Sequence, residues 1–539
     1  MTPILPYSSV TSMDPVKLTI NGTEVITTKG KTVIQAAAEA GIAIPHYCYH
    51  PKLSIAGNCR MCLVEIEKMP KLQIACNTQV AEGMGVLTDS PKVLAVRKAV
   101  MEFLLINHPV DCPICDQAGE CQLQNYYMEH DCQPSRFDDR KEHDRKKTVF
   151  GPNVVFDGER CIKCTRCVRF CQEITHTHEL SVVNRGDHST IAVFPGSVLD
   201  NPLSANVVDI CPVGALTDRD FRFKVRVWYL EKTPSICPGC STGCNISVEA
   251  YQNRIARFKP RINEEVNSHW LCDEGRYCFH ELTGGERLTT PMIRQEGGLV
   301  PTTWEIALKA AISGLRSAKT VAGVLSGRST NEEAFLFGKL LKQFSADAAC
   351  EVFYQERALT EAQKILMSPD RSPNFRGARD MGVRSNGGYN SLMQELAAGK
   401  FSAAYVVGED VIATHGEPLR SAMQKLSFLV VQDIRLSETA KLAHVVLPAT
   451  HFGEKEGTYT NRKGRVQKLN AAVIAPDNVL QDCDIFIRLL EFSDEKVAYS
   501  TPAEVFQALA QEVTGYTGLS YAAVGDEGVQ LGRGGAEQS

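Results

Sequence analysis

Residues 17–41 read KLTINGTEVITTKGKTVIQAAAEAG and decide how the chain begins to fold. Apolar and polar residues alternate on both sides of Asn21-Gly22, a dipeptide that readily takes the positive φ values of a two-residue hairpin turn. Thr32 can cap a helix over residues 33–40, and Gly41 can end it in a left-handed conformation. The stretch therefore predicts two paired strands followed by a helix.

The first set of cysteines follows that helix and consists of Cys48, Cys59, Cys62 and Cys76. Four thiolates from one long loop and one later strand can hold two irons bridged by sulfide. A four-cysteine zinc site is the alternative that the Cys59-x2-Cys62 pair alone would allow. The order of hairpin, helix and cysteine loop favours a plant-type [2Fe-2S] ferredoxin domain with the β-grasp fold, in which Gly57 lets the backbone approach the cluster.

The chain of 539 residues has 20 cysteines, and all but Cys350 and Cys483 lie within residues 1–278. Its formal net charge of −5 offers no bulk basic field for nucleic acid. No apolar run reaches the roughly 18 to 20 residues that span a bilayer, and the first residues lack the pattern of a secretory signal. We therefore expect a reducing, cytosol-like compartment, where many cysteines indicate metal more often than disulfides.

A helix is predicted over residues 90–107, with Ser90 as its cap and one apolar stripe made by Val93, Val96, Val100, Phe103 and Leu104. It leads into a second set: His108, Cys112, Cys115 and Cys121. A [4Fe-4S] cluster with one imidazole ligand is less negative, and so easier to reduce, than one with four thiolates. Cys132, close to His130, is the competing fourth ligand; spacing alone prefers His108 but leaves both open.

The third set begins with the run CIKCTRCVRFC at residues 161–171 and continues with Cys211-Pro212. In two-cluster ferredoxins the fourth cysteine of such a run serves the other cluster, but no second triplet occurs nearby. We expect one [4Fe-4S] cluster on Cys161, Cys164, Cys167 and Cys211; a local cluster that uses Cys171 is the alternative. The interleaved Lys163, Arg166 and Arg169 either raise the reduction potential of that cluster or form a solvated basic face.

The fourth set is Cys237, Cys240, Cys244 and Cys272. A zinc ribbon would pair Cys237 and Cys240 with Cys272 and Cys278, but it would leave Cys244 over. We favour a further [4Fe-4S] cluster, with Cys278 as a bystander. The expected cofactors are thus one [2Fe-2S] and three [4Fe-4S] clusters, and five cysteines remain without a ligand role: Cys132, Cys171, Cys278, Cys350 and Cys483.

From about residue 290 the sequence alternates short apolar strands with helices. The strands include TVAGVLSG from Thr320 and FLVVQDI from Phe428, and the helices include NEEAFLFGKLLKQF from Asn331. This alternation predicts an α/β domain with a mainly parallel sheet. The charge run 136–147 is interpreted as a solvated linker, and the end of the chain as a disordered tail.

Three strings resemble the large iron–sulfur subunit of respiratory complex I, which is the G-subunit family of bacterial NADH-quinone oxidoreductase: HPVDCPICDQAGECQLQ from His108, CIKCTRCVRF from Cys161, and NVVDICPVGAL ending at Leu216. The resemblance implies that His108 and three cysteines share one cluster, and that electrons pass from an NADH/FMN-binding subunit toward quinone while the whole complex translocates protons. It implies other peripheral-arm iron–sulfur subunits as partners, indirect contact with a membrane arm, and a peripheral place on the cytoplasmic side of the inner membrane. No nucleic acid partner is expected. Because the sequence has no G-x-G-x-x-G loop, NAD and flavin are expected on another chain.

Residues 290–480 resemble the molybdopterin oxidoreductases, in strings such as RSTNEEAF and LSETAKLAHVVLPATHFGEKEGTYTNRKGRVQ. Catalytic members mostly carry a cysteine or selenocysteine on the metal and a much longer domain. Here only Cys350 could serve, and its surroundings are those of a small buried residue. We expect a shortened α/β domain without molybdenum or molybdopterin, and no catalytic residue.

The predicted fold class is a multidomain α+β and α/β protein. Its expected segments are 15–95 ([2Fe-2S] ferredoxin), 96–135 (histidine-plus-three-cysteine module), 148–228 (ferredoxin-like [4Fe-4S] domain), 231–287 ([4Fe-4S] module of molybdopterin-oxidoreductase type), 288–515 (shortened α/β domain) and 516–539 (tail). Three alternative functions remain: the catalytic subunit of an NAD-dependent formate dehydrogenase, a hydrogenase-associated electron-transfer subunit, and a structural zinc scaffold.

Overall fold

A computed structural model describes residues 14–344, 348–493 and 497–532. The chain forms two compact units, which meet in sequence between Trp228 and Tyr229. Within the described residues, none of the helices combines the length and apolar character needed to cross a membrane.

The described part of the first unit contains ten strands and five α-helices. They are β1 (Pro15–Ile20), β2 (Thr23–Thr28), α1 (Val33–Glu39), β3 (Leu63–Ile66), β4 (Gln73–Ile74), β5 (Gly85–Leu87), α2 (Pro91–Leu105), α3 (Gln122–His130), β6 (Thr148–Val149), β7 (Val154–Phe156), α4 (Arg166–Glu173), β8 (Leu180–Val183), β9 (Thr190–Val193), α5 (Asn206–Asp209) and β10 (Leu216–Asp218).

The predicted hairpin and helix open this unit. Strands β1 and β2 pair antiparallel around Asn21 and Gly22, whose φ values are +49° and +78°. Alternate residues of β1 are buried, as a half-buried strand requires. The five-stranded sheet has the order β2-β1-β5-β3-β4, and α1 ends before Gly41, with φ +72°. Both local predictions are confirmed.

Helix α2 is present, but its apolar stripe is partly wrong. The buried positions are Val93, Arg97 and Met101, which follow one another at four-residue spacing. Phe103 lies off this face and is 73% exposed. The helix packs its Val93 face against β3 and α3. Phe103 is on another face, so its apolar character did not predict its burial.

The charge run 136–147 is not simply solvated. The ammonium group of Lys141 donates hydrogen bonds to the carbonyl oxygens of Leu105, Ile106 and His108, where α2 ends. Lys146 forms an ion pair with Glu159 at 2.6 Å. Since the last carbonyls of a helix lack partners within it, Lys141 closes the end of α2 and holds the run against the unit.

The second unit continues, in its described residues, with thirteen strands and eleven α-helices. They are β11 (Glu231–Ile236), β12 (Asn245–Tyr251), β13 (Arg254–Pro260), α6 (Asp273–Thr283), β14 (Met292–Gln295), β15 (Gly298–Pro301), α7 (Trp304–Ser317), β16 (Val321–Leu325), α8 (Asn331–Phe344), β17 (Ala349–Val352), α9 (Glu361–Lys364), α10 (Phe375–Asp380), α11 (Gly388–Ala397), β18 (Ala403–Val407), α12 (Val411–His415), α13 (Glu417–Lys425), β19 (Phe428–Asp433), β20 (Val445–Pro448), β21 (Gly457–Thr460), β22 (Arg465–Leu469), α14 (Asp482–Phe492), α15 (Pro502–Glu512), α16 (Tyr521–Val524) and β23 (Val529–Gln530).

A seven-stranded sheet with the order β15-β14-β20-β19-β18-β16-β17 forms the centre of this unit. Its last five strands are parallel, and the β14–β15 hairpin is antiparallel at one edge. Alternate residues of β18 enter two different cores: Tyr405 packs with α7, α8 and α14, and Val406 with α11 and α13. Helices on both faces of a mainly parallel sheet are the α/β arrangement that the sequence predicts.

The predicted tail is wrong for residues 516–532. Tyr516 and Val524 are buried, and β23 pairs antiparallel with β22. The glycine-rich composition hid a strand whose hydrogen-bonding partner lies about sixty residues earlier in the chain. The remainder of the predicted tail, 533–539, lies outside the described residues.

Candidate iron–sulfur centres

The first set of cysteines lies on the loop after α1 and just beyond β4. Its thiols form two neighbouring pairs. A hydrogen bond from Cys59 lowers the pKa of Cys48 to about 5, and a hydrogen bond from Cys62 lowers the pKa of Cys76. Gly57 in the loop has φ +60°, the left-handed region that favours glycine. Two pairs of thiols are the donor set that two irons need, so these residues fit a [2Fe-2S] cluster.

The third set surrounds a narrow cavity. Cys161, Cys164, Cys167 and Cys211 line it together with Arg166 and apolar side chains such as Leu216. Burial raises the pKa of Cys161, Cys164 and Cys167, and it raises that of Cys211 to about 12. Thiols in such surroundings stay protonated until a metal displaces the proton.

Cys171, the alternative fourth ligand of the third set, lies one turn beyond Cys167 on α4. It is fully buried, and its thiol faces the carboxylate of Glu179 and the N–H of Leu180. The structure therefore brings Cys211 to the cavity wall, while Cys171 contacts the start of β8. This geometry supports the choice of Cys211.

The second set lies between α2 and α3. Cys115 and Cys121 are buried, and Cys112 begins a short 3₁₀ turn. Cys112, Cys115 and Cys121 lie within electrostatic range of one another. Burial lowers the pKa of His108 to about 4, which keeps its imidazole neutral, as a metal ligand must be. Its Nδ1 accepts a hydrogen bond from the N–H of Val110 at 3.1 Å.

Cys132, the competitor of His108, is exposed and lies two residues after the end of α3. It stays a prediction that His108, Cys112, Cys115 and Cys121 bind a cluster together.

The fourth set lines a small cavity in the second unit. Cys237, Cys240, Cys244 and Cys272 are all buried around it. A Cβ added to Gly275 would lie 2.9 Å from Cys237 Sγ and 3.1 Å from Cys272 Sγ, so glycine leaves room for sulfur there. The donor set and this cradle fit a cluster.

Cys278 is not a distant bystander of the fourth set. Its thiol donates to the carbonyl oxygen of Gly275 at 3.2 Å and forms a hydrogen bond with the thiol of Cys237. In the described residues no three cysteine, histidine or acidic side chains converge as ligands of a single ion. The choice of a cluster over zinc at this set, and the exclusion of Cys278 from the ligands, stay predictions.

Two arginines of α4 connect the first and third sets. Arg166 donates to the carbonyl oxygens of Tyr49 and Ile210, at 2.5 and 3.1 Å. Arg169 donates through one nitrogen, Nη2, to the carbonyl oxygens of Cys48 at 2.6 Å and Cys164 at 3.2 Å. Both side chains are buried, so the interpretation as a solvated basic face is wrong for them.

Lys163, the third basic residue of that run, is half-buried and donates to the carbonyl oxygen of Asp187 at 3.0 Å.

Arg160 connects the second and third sets, although its place in the sequence did not single it out. It is itself buried, precedes Cys161, and forms an ion pair with the partly buried Asp111, which precedes Cys112. The two sets also approach each other at Gly214, where an added Cβ would lie 2.3 Å from Cys115 Sγ. A signal for this ion pair was present in the sequence: a charged residue directly precedes a cysteine in both Asp111-Cys112 and Arg160-Cys161.

Cys350, the only cysteine that could serve a molybdenum centre on sequence grounds, lies on β17 and is 8% exposed. Burial raises the pKa of its thiol to about 11. Its side chain packs in the core beside the parallel strands, and its Sγ lies 3.9 Å from the carbonyl oxygen of Gly382.

Five family models match the chain, in the order of the cysteine sets. They are the 2Fe-2S iron-sulfur cluster binding domain (residues 13–91), the NADH-ubiquinone oxidoreductase-G iron-sulfur binding region (97–136), the ferredoxin-like domain of NADH-quinone oxidoreductase subunit 3 (151–217), the molybdopterin oxidoreductase Fe4S4 domain (230–283) and molybdopterin oxidoreductase (287–373 and 367–492). The predicted fold class is confirmed, and the chain has [2Fe-2S]- and [4Fe-4S]-binding domains.

Curated relatives match part of the chain. The NADH-quinone oxidoreductase G subunit of Rickettsia conorii is 41% identical over 334 residues, which is 62% of this chain and 50% of the relative. The G subunit of Rickettsia bellii is 44% identical over 56% of this chain and 44% of its own length. The NADH-ubiquinone oxidoreductase 75 kDa subunit of Reclinomonas americana is 41% identical over 61% of this chain and 48% of its own length.

Among solved structures, a chain of an NAD+-reducing [NiFe]-hydrogenase in the H2-reduced state is 30% identical. The match covers 39% of this chain and 91% of that chain, with a TM-score of 0.36. The chain spans about half the length of the curated relatives that it matches. The chain is thus homologous over part of its length to the G subunit of NADH-quinone oxidoreductase, and its residues 97–136 match the iron-sulfur binding region of that family.

Proposed function

We propose that the chain is an iron–sulfur electron-transfer subunit of an NADH:quinone oxidoreductase. It receives electrons from an NADH/FMN-binding subunit and passes them on toward quinone, and the whole complex couples this transfer to proton translocation. The relatives named as G subunits of NADH-quinone oxidoreductase support the reaction, although they are about twice as long as the matched region.

The proposed ligands are Cys48, Cys59, Cys62 and Cys76 for one [2Fe-2S] cluster, and three further sets for [4Fe-4S] clusters: His108 with Cys112, Cys115 and Cys121; Cys161, Cys164, Cys167 and Cys211; and Cys237, Cys240, Cys244 and Cys272. When bound, such clusters accept and release single electrons. The chain itself holds the sets in place and keeps water from most of them, since eleven of these sixteen residues are buried.

One observation carries the proposal: neighbouring ligand sets of the first unit are joined by buried arginines. Arg169 donates hydrogen bonds to the carbonyl oxygens of Cys48, in the first set, and Cys164, in the third. Arg160, the residue before Cys161, forms an ion pair with Asp111, the residue before Cys112. These contacts hold successive sets beside one another, and electron transfer between centres requires them to lie close together.

We infer further that the chain works at the periphery of a membrane complex, on the cytoplasmic side of the inner membrane. Its direct partners are the NADH/FMN subunit and other peripheral-arm iron–sulfur subunits, and it reaches the membrane arm only through them. The shortened α/β domain holds no molybdopterin in this proposal.

A formate dehydrogenase remains a second candidate, because residues 287–492 match the molybdopterin oxidoreductase models. The buried position of Cys350 in the sheet core argues against it as a metal ligand. This candidate predicts molybdenum or tungsten in the purified chain and formate-dependent dye reduction.

The test is anaerobic purification of the complex from its native cells and of this chain by itself, followed by quantitation of iron, sulfide, zinc and molybdenum in the chain. Low-temperature electron paramagnetic resonance (EPR) of the chemically reduced chain should show one [2Fe-2S] and three [4Fe-4S] signals, and the same signals should appear in the complex on addition of NADH, beside those of its partner subunits. Zinc in place of iron would refute electron transfer, and molybdenum with formate activity would favour the second candidate.

A further inference from the structure

Among the described residues, the buried guanidinium groups of Arg166 and Arg169 form no ion pair with an acidic side chain. Their side chains belong to residues that are 6% and 7% exposed. In the described part of the chain, their hydrogen bonds go to main-chain carbonyl oxygens and to the Thr165 hydroxyl, and no carboxylate pairs with either group. An uncompensated buried charge is strongly unfavourable, so these two cations need negative charge nearby.

The surroundings show where that charge comes from. The electrostatic neighbours of Arg166 are the thiols of Cys164, Cys211 and Cys48, together with the like-charged Arg169. Its side chain lines the cavity of the third set, and its Nε–H is buried without a hydrogen-bond partner among the described residues. A cluster with thiolate ligands is net negative and becomes more so on reduction, and its sulfurs accept hydrogen bonds.

Arg169 has a different position. Its Nη2 contacts the carbonyl oxygens of one ligand residue from each set, Cys48 and Cys164, and its Nη1 donates to the carbonyl oxygen of Ser54 on the first loop. One positive charge is therefore fixed between two cysteine sets, and Arg169 lies 121 residues from Cys48 in the sequence. A charge at that place acts on both sets at once.

We propose that Arg166 and Arg169 are the shared counter-charge of the first and third clusters, and that Arg169 raises the reduction potentials of both. The inference rests on the ligand sets proposed above. Both arginines are positioning residues: they hold the two sets together and set their potentials, and they do not themselves carry electrons.

The test is an anaerobic, dye-mediated redox titration of the full, cluster-loaded chain, with each cluster followed by its own EPR spectrum. Arg169→Gln should lower both potentials, so that the ratio of reduced to oxidised cluster at the wild-type midpoint falls about tenfold for each, a shift of about 59 mV for one electron. Arg166→Gln should shift the third cluster more than the first, because its side chain lines the third cavity. Arg169→Lys keeps the charge and should leave both ratios within about threefold of the wild type.

Arg60→Gln is the matched control. Arg60 follows Cys59 but is exposed, so solvent screens its charge, and its removal should change either ratio by less than about threefold. Iron and sulfide contents confirm that each variant is loaded.

Three results would overturn the inference: a fully loaded Arg169→Gln variant with unchanged potentials, a shift confined to one cluster, or an Arg169→Lys variant that shifts as far as Arg169→Gln. If Arg169→Gln loses iron, Arg166→Gln supplies the charge deletion, and an unchanged third potential there overturns the inference. A wild-type chain that binds zinc and no iron would instead refute the proposed function, before any titration is made.

Discussion

Replacement of Cys211 by alanine, compared with the same change at Cys171, tests the ligand set on which the third centre depends. The two cysteines are the alternatives for one coordination position. Cys211 lines the cavity with Cys161, Cys164 and Cys167, whereas the thiol of Cys171 faces Glu179. Each variant therefore removes one thiol, and the two removals are expected to have different consequences.

The magnitudes follow from these positions. Loss of Cys211 leaves three thiolates for four irons, so the Cys211→Ala chain should contain about four fewer irons and four fewer sulfides than the wild type. Cys171→Ala should keep the full content and lose only packing in a fully buried site, about 1 kcal/mol of stability. The first cluster should persist in both variants, because its four cysteines lie in another loop and strand.

The assay is iron and sulfide quantitation with EPR on reduced protein, joined to thermal denaturation of each variant. Full iron in Cys211→Ala together with a loss of four irons in Cys171→Ala would refute the assignment and establish the local alternative. A loss of the same four irons in both variants would show that burial and cavity lining do not distinguish ligand from neighbour here.

Three further predictions concern charge. Lys455→Met should destabilise the second unit by about 3–5 kcal/mol in urea denaturation, because Lys455 Nζ lies 2.9 Å from Glu333 and 3.3 Å from Asp482 and all three residues are buried. The control Lys309→Met breaks an exposed ion pair and should cost less than about 1 kcal/mol. Equal losses of stability in the two variants would contradict this prediction. Burial raises the pKa of Glu332 from 4.5 to about 7, so between these pH values the folded state holds a proton that the unfolded state has lost. The stabilisation is fully present below pH 4.5 and is lost as the pH rises through 7. Glu332→Gln should therefore flatten the pH dependence of urea denaturation and stabilise the chain by up to about 3 kcal/mol at pH 8, and an unchanged pH profile would refute it. His108→Cys should lower the reduction potential of the second cluster in an EPR-monitored titration, since a thiolate adds negative charge, and an unshifted potential in a loaded variant would argue that His108 is not a ligand.

The sequence predicted the features that depend on neighbouring residues. The Asn21-Gly22 hairpin, the helix that ends before Gly41 and the parallel strands of the α/β sheet all follow from local turn chemistry and hydrophobic pattern. The four proposed cysteine sets rest on the same kind of local signal, since each contains a Cys-x2-Cys pair, as at Cys59 and Cys62 or Cys237 and Cys240; the ligand assignments themselves stay predictions.

The remaining features depend on contacts between distant segments. Strand β23 forms only because residues 529–530 meet β22, and a glycine-rich composition does not reveal that pairing. Phe103 is exposed and Arg97 is buried because α2 turns its Val93 face toward β3 and α3, which the helix alone does not specify. The place of Arg169 between Cys48 and Cys164 likewise requires the first loop to reach α4.

Several buried cations of the chain are compensated by carboxylates. In the second unit the buried Lys455 lies against Glu333 and Asp482, and the half-buried Arg287 lies against Glu454. In the first unit Arg160 pairs with Asp111. These pairs are what a cation withdrawn from water requires when no other negative charge is at hand.

The arginines beside the cysteine sets are compensated differently, and the difference points to the clusters. Arg166 and Arg169 are buried as well, yet among the described residues neither forms an ion pair: their hydrogen bonds go mainly to carbonyl oxygens, and the Glu173 carboxylate nearby binds the N–H and hydroxyl of Ser54 instead of Arg169. Arg97, also buried, donates to the carbonyl oxygen of Leu63 and has both the thiol of Cys62 and the carboxylate of Asp89 among its electrostatic neighbours. Because Arg166 and Arg169 lie next to the proposed ligand cysteines and form no ion pair with a carboxylate among the described residues, they locate the negative charge that thiolate-ligated clusters bring when they bind.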